Sequence, residues 1–345
     1  MKMKGVIRYL PALMILAIAA GSCESVIEFK GDGADPKPVI YSILHPDSLI
    51  QVSVAMSHAV FDERYEPKQI TNAVVRVFRD GTLIDNLTYK TPGPNPDWAP
   101  ADPYSRYVSG TNRPFYGSIY RIEVEIPGTG TASGEAMLPE NVPIIRIDTG
   151  SVTAEWGERL LEVKVKFRDP AGEDNHYRVT ARGIGGSYYG NKGEPYLPFN
   201  PVVVTEADLS YGVFNEPLIT PRQDDDIFGM YLQNTYSLFS DELIAGKEYD
   251  LTLRYNYKRP DPEYYEFVHS YFSLHSISRD LYLYLQSLSA HIQTRENFLA
   301  EPVMVYTNVS DGLGVVGAMS TYTGSLKIGE YPVEGVFYEY YQYNR

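Results

Sequence analysis

The sequence predicts a mainly β fold made of two β-sandwich domains of immunoglobulin or transthyretin-like type, the second carrying long insertions and one amphipathic helix. Three observations carry this. Short runs of β-branched and aromatic residues alternate with polar ones along most of the chain, most clearly in Leu161-Glu162-Val163-Lys164-Val165-Lys166-Phe167. Turn residues, including 28 Gly and 24 Pro, punctuate these runs at short intervals. One stretch alone, 277–294, has apolar residues at helical spacing.

Residues 1–22 read as an export signal, with a basic start (Lys2, Lys4, Arg8), an apolar run to Ala20 and the small residues Ala20-Gly21-Ser22. The run is too short and too interrupted to cross about 30 Å of hydrocarbon, and no later segment reaches about 18 consecutive apolar residues. Cys23, the single cysteine, stands where a bacterial lipoprotein is cleaved and acylated. Ala20-Gly21-Ser22-Cys23 resembles a lipobox, so Cys23 is the candidate lipidation site. Each buried CH₂ of an attached acyl chain contributes about 0.8 kcal/mol to membrane binding, so several chains anchor a protein that has no spanning segment. With Cys23 acylated, no thiol is left for a disulfide or a thiolate metal site, and stability must come from the cores. Residues 23–38 are acidic and rich in Gly and Pro, which suits a flexible tether. The acidic start Glu24-Ser25-Val26-Ile27-Glu28 resembles the surface-export signal of Bacteroidota lipoproteins. The expected location is the outer membrane, lipid-anchored and facing outward.

The first sandwich is expected over 39–142. Its strands are 39–44, 50–54, 73–78 and 120–126, the last ended by Pro127-Gly128. Asp80-Gly81 predicts a tight hairpin turn, with 83–89 as the returning arm. Residues 91–118 contain six prolines, which remove ladder donors, and so predict a loop. Its Trp98, Tyr104 and Tyr107 are candidate contacts for a ligand or partner, or else a small satellite cluster over the sandwich. Residues 139–143 mark the junction. The second sandwich, 143–345, has strands 144–147, 160–167, 176–182 and 248–257. An insertion over 183–226 is rich in Gly, Pro, Tyr and Asp, and its Tyr188, Tyr189 and Tyr196 form a second set of candidate contacts on which a glycan or peptide could stack. In the helix, Ile277, Leu281, Tyr284, Leu285, Leu288 and Ile292 share one side and Ser278 is placed to cap the N-terminus.

The charge balance narrows the partners. With 30 Lys and Arg against 44 Asp and Glu, the formal net charge is −14, a surface that repels phosphate backbones and excludes nucleic-acid binding through a basic patch. Hydrophobic content of 43% with 13% aromatics excludes a disordered acidic tail. Gly312-Leu313-Gly314-Val315-Val316-Gly317 matches the glycine pattern of dinucleotide-binding loops and comes after an expected strand at 303–306. The next segment, 318–324, is too short and too rich in Thr, Ser and Tyr for the crossover helix, so the pattern reads as a turn or a close backbone approach. The six histidines are scattered, there is no Gly-x-Ser-x-Gly elbow, and no cofactor is expected. Asp224-Asp225-Asp226 offers oxygen ligands for a cation but lacks the spacing of a dedicated calcium loop.

Several stretches in order resemble a family of Bacteroidota outer-membrane lipoproteins, the domain of unknown function numbered four-two-four-nine. They are Cys23-Glu24, Thr71-Asn72-Ala73-Val74-Val75, Asp169-Pro170, Asn175-His176-Tyr177-Arg178-Val179, Ser240-Asp241-Glu242-Leu243, Gly246-Lys247-Glu248-Tyr249, Glu301-Pro302-Val303, Asn308 and Gly312-Leu313-Gly314. The resemblance implies a surface lipoprotein that acts as a non-enzymatic accessory to a TonB-dependent receptor in nutrient uptake, with no catalytic residues to carry over. Two alternatives stand beside it: a glycan or peptide hydrolase using carboxylates of the 183–226 insertion, and a structural protein of envelope assembly.

Overall fold

The computed structural model describes residues 35–58, 70–91, 105–153, 157, 159–188, 200–204, 216–219, 234–256, 265–295 and 303–329. The strands are β1 (Pro38–Leu44), β2 (Gln51–Met56), β3 (Val74–Arg79), β4 (Thr82–Lys90), β5 (Ser105–Val108), β6 (Ile119–Ile126), β7 (Gly130–Met137) and β8 (Ile144–Thr153). They continue as β9 (Arg159–Arg168), β10 (His176–Tyr188), β11 (Asn200–Val204), β12 (Leu238–Ser240), β13 (Glu248–Asn256) and β14 (Tyr265–Ile277). The helix α1 (Arg279–Arg295) and the strand β15 (Leu313–Gly329) come last. The protein is mainly β, with one large and one small sheet. The large sheet runs β11-β10-β14-β15-β1-β2-β5-β4-β3-β6-β7, with β12 on β10, and the small sheet runs β13-β9-β8.

Alternation sets the inner faces. On β1, Ile40 and Leu44 point inward; on β6, Tyr120, Ile122, Val124 and Ile126 do. With Val52, Val54, Val75, Val77 and Tyr107 they form one core, into which β15 adds Val316 and Ala318. The large sheet curls so that β7 returns against β15: Gly134 on β7 lies so close to Val316 that a Cβ would sit 2.9 Å from its side chain. The small sheet packs on the inner face of β10 and β14, where Val163, Val165, Phe167, Leu251 and Leu253 meet Tyr177, Val179, Phe272 and Leu274. Phe167, Tyr177 and Phe239 pack there with centroids 5.1 to 6.2 Å apart. Each such buried ring contributes about 1.5–3 kcal/mol through the water-accessible area it loses. The expected boundary at 139–143 falls between these two cores, yet one hydrogen-bonded sheet passes through both. The cause is β15, which pairs in parallel with β1 (Tyr41 opposite Val315) while its later half pairs with β14.

The β3–β4 hairpin turns at Asp80 and Gly81, both at positive φ (48° and 80°), the geometry that an Asp-Gly pair favours. Helix α1 starts one residue after its cap: the Ser278 hydroxyl accepts the Leu281 N–H at 3.4 Å and also the Ala318 N–H at 3.1 Å, so the cap ties the helix to β15. Leu281 and Leu285 then bury a third, smaller core with Leu238 and Ile277.

Two expectations are corrected. Residues 183–188 and 200–204, expected within an insertion, are strand: Gly183 to Ser187 pair with Val204 to Asn200. Gly183, Gly185 and Gly186 carry no side chains to mark alternation, which hides the strand signal. Residues 303–306, expected as a strand, are not one, because side chains of α1 take up their backbone groups. The Ser287 hydroxyl accepts the Tyr306 N–H at 2.8 Å and His291 Nδ1 meets the Val303 carbonyl at 2.7 Å. Residues 312–317, expected as a turn or a close backbone approach, make the close approach: from Leu313 they open β15, pressed against the backbone of β1.

Candidate functional site

Among the described residues, Asp169, Asn175, Asp241, Gly246 and Asn308 of the motifs that carried the family resemblance come together as joints. Asp169, 1% exposed, lies just after β9; its carboxylate accepts the Tyr177 hydroxyl at 2.5 Å and the Gly246 N–H at 2.8 Å. Asp241, also buried, accepts the Asn175 N–H at 2.9 Å, while its own N–H donates to the Asn175 carbonyl. Together they tie the β9–β10 turn to the segment between β12 and β13. Glu216 is a third buried carboxylate: it accepts the Tyr249 hydroxyl at 2.6 Å and the Thr252 N–H at 2.7 Å on the open edge of β13. Asn308 does for β15 what a neighbouring strand would do, accepting the Val316 N–H and donating to the Val316 carbonyl and to the Glu135 carbonyl of β7. These polar groups are committed to holding the fold.

The tyrosines so held carry a pH signature. Burial, then the Asp169 bond, raises the pKa of Tyr177 well above its ordinary 10.0; burial, then the Glu216 bond, raises Tyr249. Burial and the bond to Asp280 push Tyr306 up to about 12. In the unfolded chain all three ionise near about 10, so above that pH the unfolded state loses protons that the folded state keeps. The stability these groups contribute is whole below pH about 10 and declines as pH rises past it. The urea midpoint is expected to hold from about pH 8 to about 9.5 and then fall, and a midpoint that stays level to about pH 12 would contradict the burial of these hydroxyls.

A concave feature among the described residues lies on the outer face of the small sheet. Because β9 turns Val163, Val165 and Phe167 inward, Glu162, Lys164 and Lys166 face out. The register then sets charge beside charge: Arg146 and Asp250 flank Lys166, Asp148 lies opposite Lys164, and Arg254 lies opposite Glu162. Arg146 bonds Asp148 at 2.6 Å, Arg254 bonds Glu162 at 2.8 Å, Lys164 lies 3.4 Å from Glu162, and Lys166 lies 3.2 Å from Asp250. Burial works against ionisation of Glu162, but the Arg254 and Lys164 hydrogen bonds outweigh it and hold its carboxyl below the usual range. Arg146, Asp148, Thr149, Gly150, Glu162, Lys164 and Asp250 line a shallow depression of about 350 Å³. The donors and acceptors that line it satisfy one another, so a polar ligand would have to take their places.

Sequence reasoning singles out none of these lining residues. The alternation of Glu162, Lys164 and Lys166 is visible in it, but their partners on β8 and β13 follow from register alone. Of the residues it does single out, Tyr107 is a core residue, 1% exposed, whose hydroxyl donates to the Ile70 carbonyl at 2.6 Å and accepts the Ala73 N–H at 3.0 Å. Its ring packs against Tyr89 and leaves no face for a ligand. Tyr188 ends β10, and its side chain lies outside what is described. Cys23, Trp98, Tyr104, Tyr189, Tyr196, Asp224, Asp225 and Asp226 lie outside the described residues. Among the described residues, no three His, Cys, Asp or Glu side chains are grouped to hold a metal ion. No helix among them is long and apolar enough to cross a membrane.

A large curled sheet, a smaller sheet packed on its inner face and a charged depression on the outside define a β-sandwich-like, mainly β protein. The chain belongs to the family described as a domain of unknown function (DUF4249), whose profile matches residues 24–325. No curated protein matches the chain.

Proposed function

We propose that this protein is a lipid-anchored outer-membrane protein, displayed outward, that serves a TonB-dependent nutrient-uptake system as a non-enzymatic binding or accessory component. The observation that carries the reading is Cys23, the single cysteine, directly after Ala20-Gly21-Ser22 and ahead of an acidic, Gly- and Pro-containing stretch. Two further observations support it. The family match starts at residue 24, next to that cysteine. The buried carboxylates Asp169, Asp241 and Glu216 are engaged with backbone N–H groups and tyrosine hydroxyls, and the charged depression is suited to holding a polar glycan or peptide ligand.

Replacing Cys23 with Ala is expected to move the protein from the membrane to the soluble fraction and to abolish incorporation of labelled fatty acid. Retention of both would end the lipid-anchor reading. The receptor part is tested by mild-detergent pull-down of the lipidated protein from its native membrane, with co-purifying proteins identified by mass spectrometry. Recovery of a TonB-dependent receptor is the expected result. Recovery of the protein alone would count against the accessory role and bring forward a stand-alone binding protein or hydrolase.

A further inference from the structure

On the face of the large sheet opposite the core, a line of hydrogen bonds crosses from β10 to the turn after β1. The Thr180 hydroxyl meets His275 Nε2 at 2.9 Å, and His275 Nδ1 meets the Thr321 hydroxyl at 2.8 Å. His45 Nε2 reaches that same hydroxyl at 3.1 Å, across a sequence separation of 276 residues. The line ends at His45 Nδ1, which lies 3.2 Å from the backbone nitrogen of Asp47. A backbone N–H can only donate, so Nδ1 of His45 accepts and bears no proton. The neutral ring then carries its proton on Nε2 and donates it to the Thr321 hydroxyl.

We infer that His45 is a proton-operated latch on the turn at residues 45–48. A proton taken from solvent can enter only at Nδ1, where it opposes the Asp47 N–H donor for donor. The Asp47 carboxylate, 3.8 Å from Nδ1, is the partner that the charged ring gains instead. The turn therefore exchanges a backbone contact for a side-chain contact, and Asp47 must shift to complete it. That shift is passed outward, because Arg113 donates to the Asp47 carbonyl and the Ile50 N–H bonds the Asn112 carbonyl at 3.1 Å. The turn after β1 and the loop 109–113 thus move as a pair.

Among the described residues, the titratable and charged groups around the ring are Asp47 on its own turn, His275 beyond Thr321, and Arg113 on the neighbouring loop, with Tyr116 near enough to sense Asp47. Burial lowers the pKa of His45 below 6.5, and Asp47 opposes this in part. The neutral, latched form is complete above pH about 6.5 and is lost as pH falls through the lowered value in the folded protein.

The test is a pH titration of the full chain by nuclear magnetic resonance, with ¹⁵N-labelled histidine rings assigned through His45→Gln and His275→Gln. Above pH about 7, His45 is expected with its proton on Nε2 and a bare Nδ1. Its midpoint is expected below 6.5, with the amides of Asp47, Ser48 and Arg113 shifting at that same midpoint. Asp47→Asn keeps the backbone N–H but removes the receiving carboxylate, and the Asp47 side chain is 86% exposed, so the fold is kept; the midpoint is expected to fall further. A proton on Nδ1 in the neutral form, amides that ignore the His45 titration, or an unmoved midpoint in Asp47→Asn would each overturn the latch.

Discussion

Gly314→Ala is expected to abolish the folded state. Gly314 sits in β15 at a φ of 99°, and a Cβ there would run into the Ile40 carbonyl oxygen and lie 2.9 Å from the carbonyl carbon. The obstacle is backbone, so no side chain can move aside. Relief requires separating β15 from β1, whose parallel register from Val39 to Leu44 also closes the first core. The unfavourable φ alone costs about 1–3 kcal/mol, and disrupted packing brings the total to about 4 kcal/mol or more, comparable with the whole stability of many domains. Soluble yield and urea unfolding of the variant check this. A loss below about 1 kcal/mol would mean that β15 does not lie where the parallel pairing puts it.

The second large effect is expected at Asp169. Asp169→Ala takes away the carboxylate that accepts the buried Tyr177 hydroxyl and the part-buried Gly246 N–H. Each buried polar group left unpaired costs about 1–3 kcal/mol, so a loss of about 3–5 kcal/mol is expected. Asp169→Asn keeps one acceptor oxygen but turns N–H groups toward other donors, and is expected to recover only part of the loss. Tyr177→Phe removes the donor, and a double-mutant cycle between the two sites is expected to give a coupling of about 1–3 kcal/mol. Additive effects, measured by urea unfolding at neutral pH, would separate the two residues and undo the joint.

Local features are legible in the sequence and distant ones are not. The period-2 runs mark β1, β3, β6 and β9, Asp80-Gly81 marks its hairpin, and Ser278 marks the helix start, because each signal lies within a few residues of what it determines. The strand β15 cannot be read as the partner of β1, since its glycines state that something approaches closely without stating what. The run at 303–306 has the composition of a strand, but its backbone bonds go to Ser287 and His291 on a helix that lies outside any short sequence window. Tyr107 has the look of a loop aromatic because prolines crowd the residues before it, while the contacts that bury its hydroxyl come from Ile70 and Ala73. The charged depression is invisible for the same reason: Glu162, Lys164, Arg146 and Asp250 meet only after three strands find their register. The motif residues Asp169, Asn175, Asp241, Gly246 and Asn308 mark joints between distant parts of the chain, and none of the depression's lining residues lies in a motif.

The pairing of β1 with β15 also sets an order of events during synthesis. The strand that completes the first core is the last one described, so an emerging chain carries β1 with a bare edge until residues 313–318 have been made. Closing a loop that long is entropically slow, and contacts of such range place this fold among slow, non-local folders. The N-terminal core therefore cannot be finished in advance of β15, and whatever carries the growing chain must shield an exposed β edge until residues 313–318 have emerged.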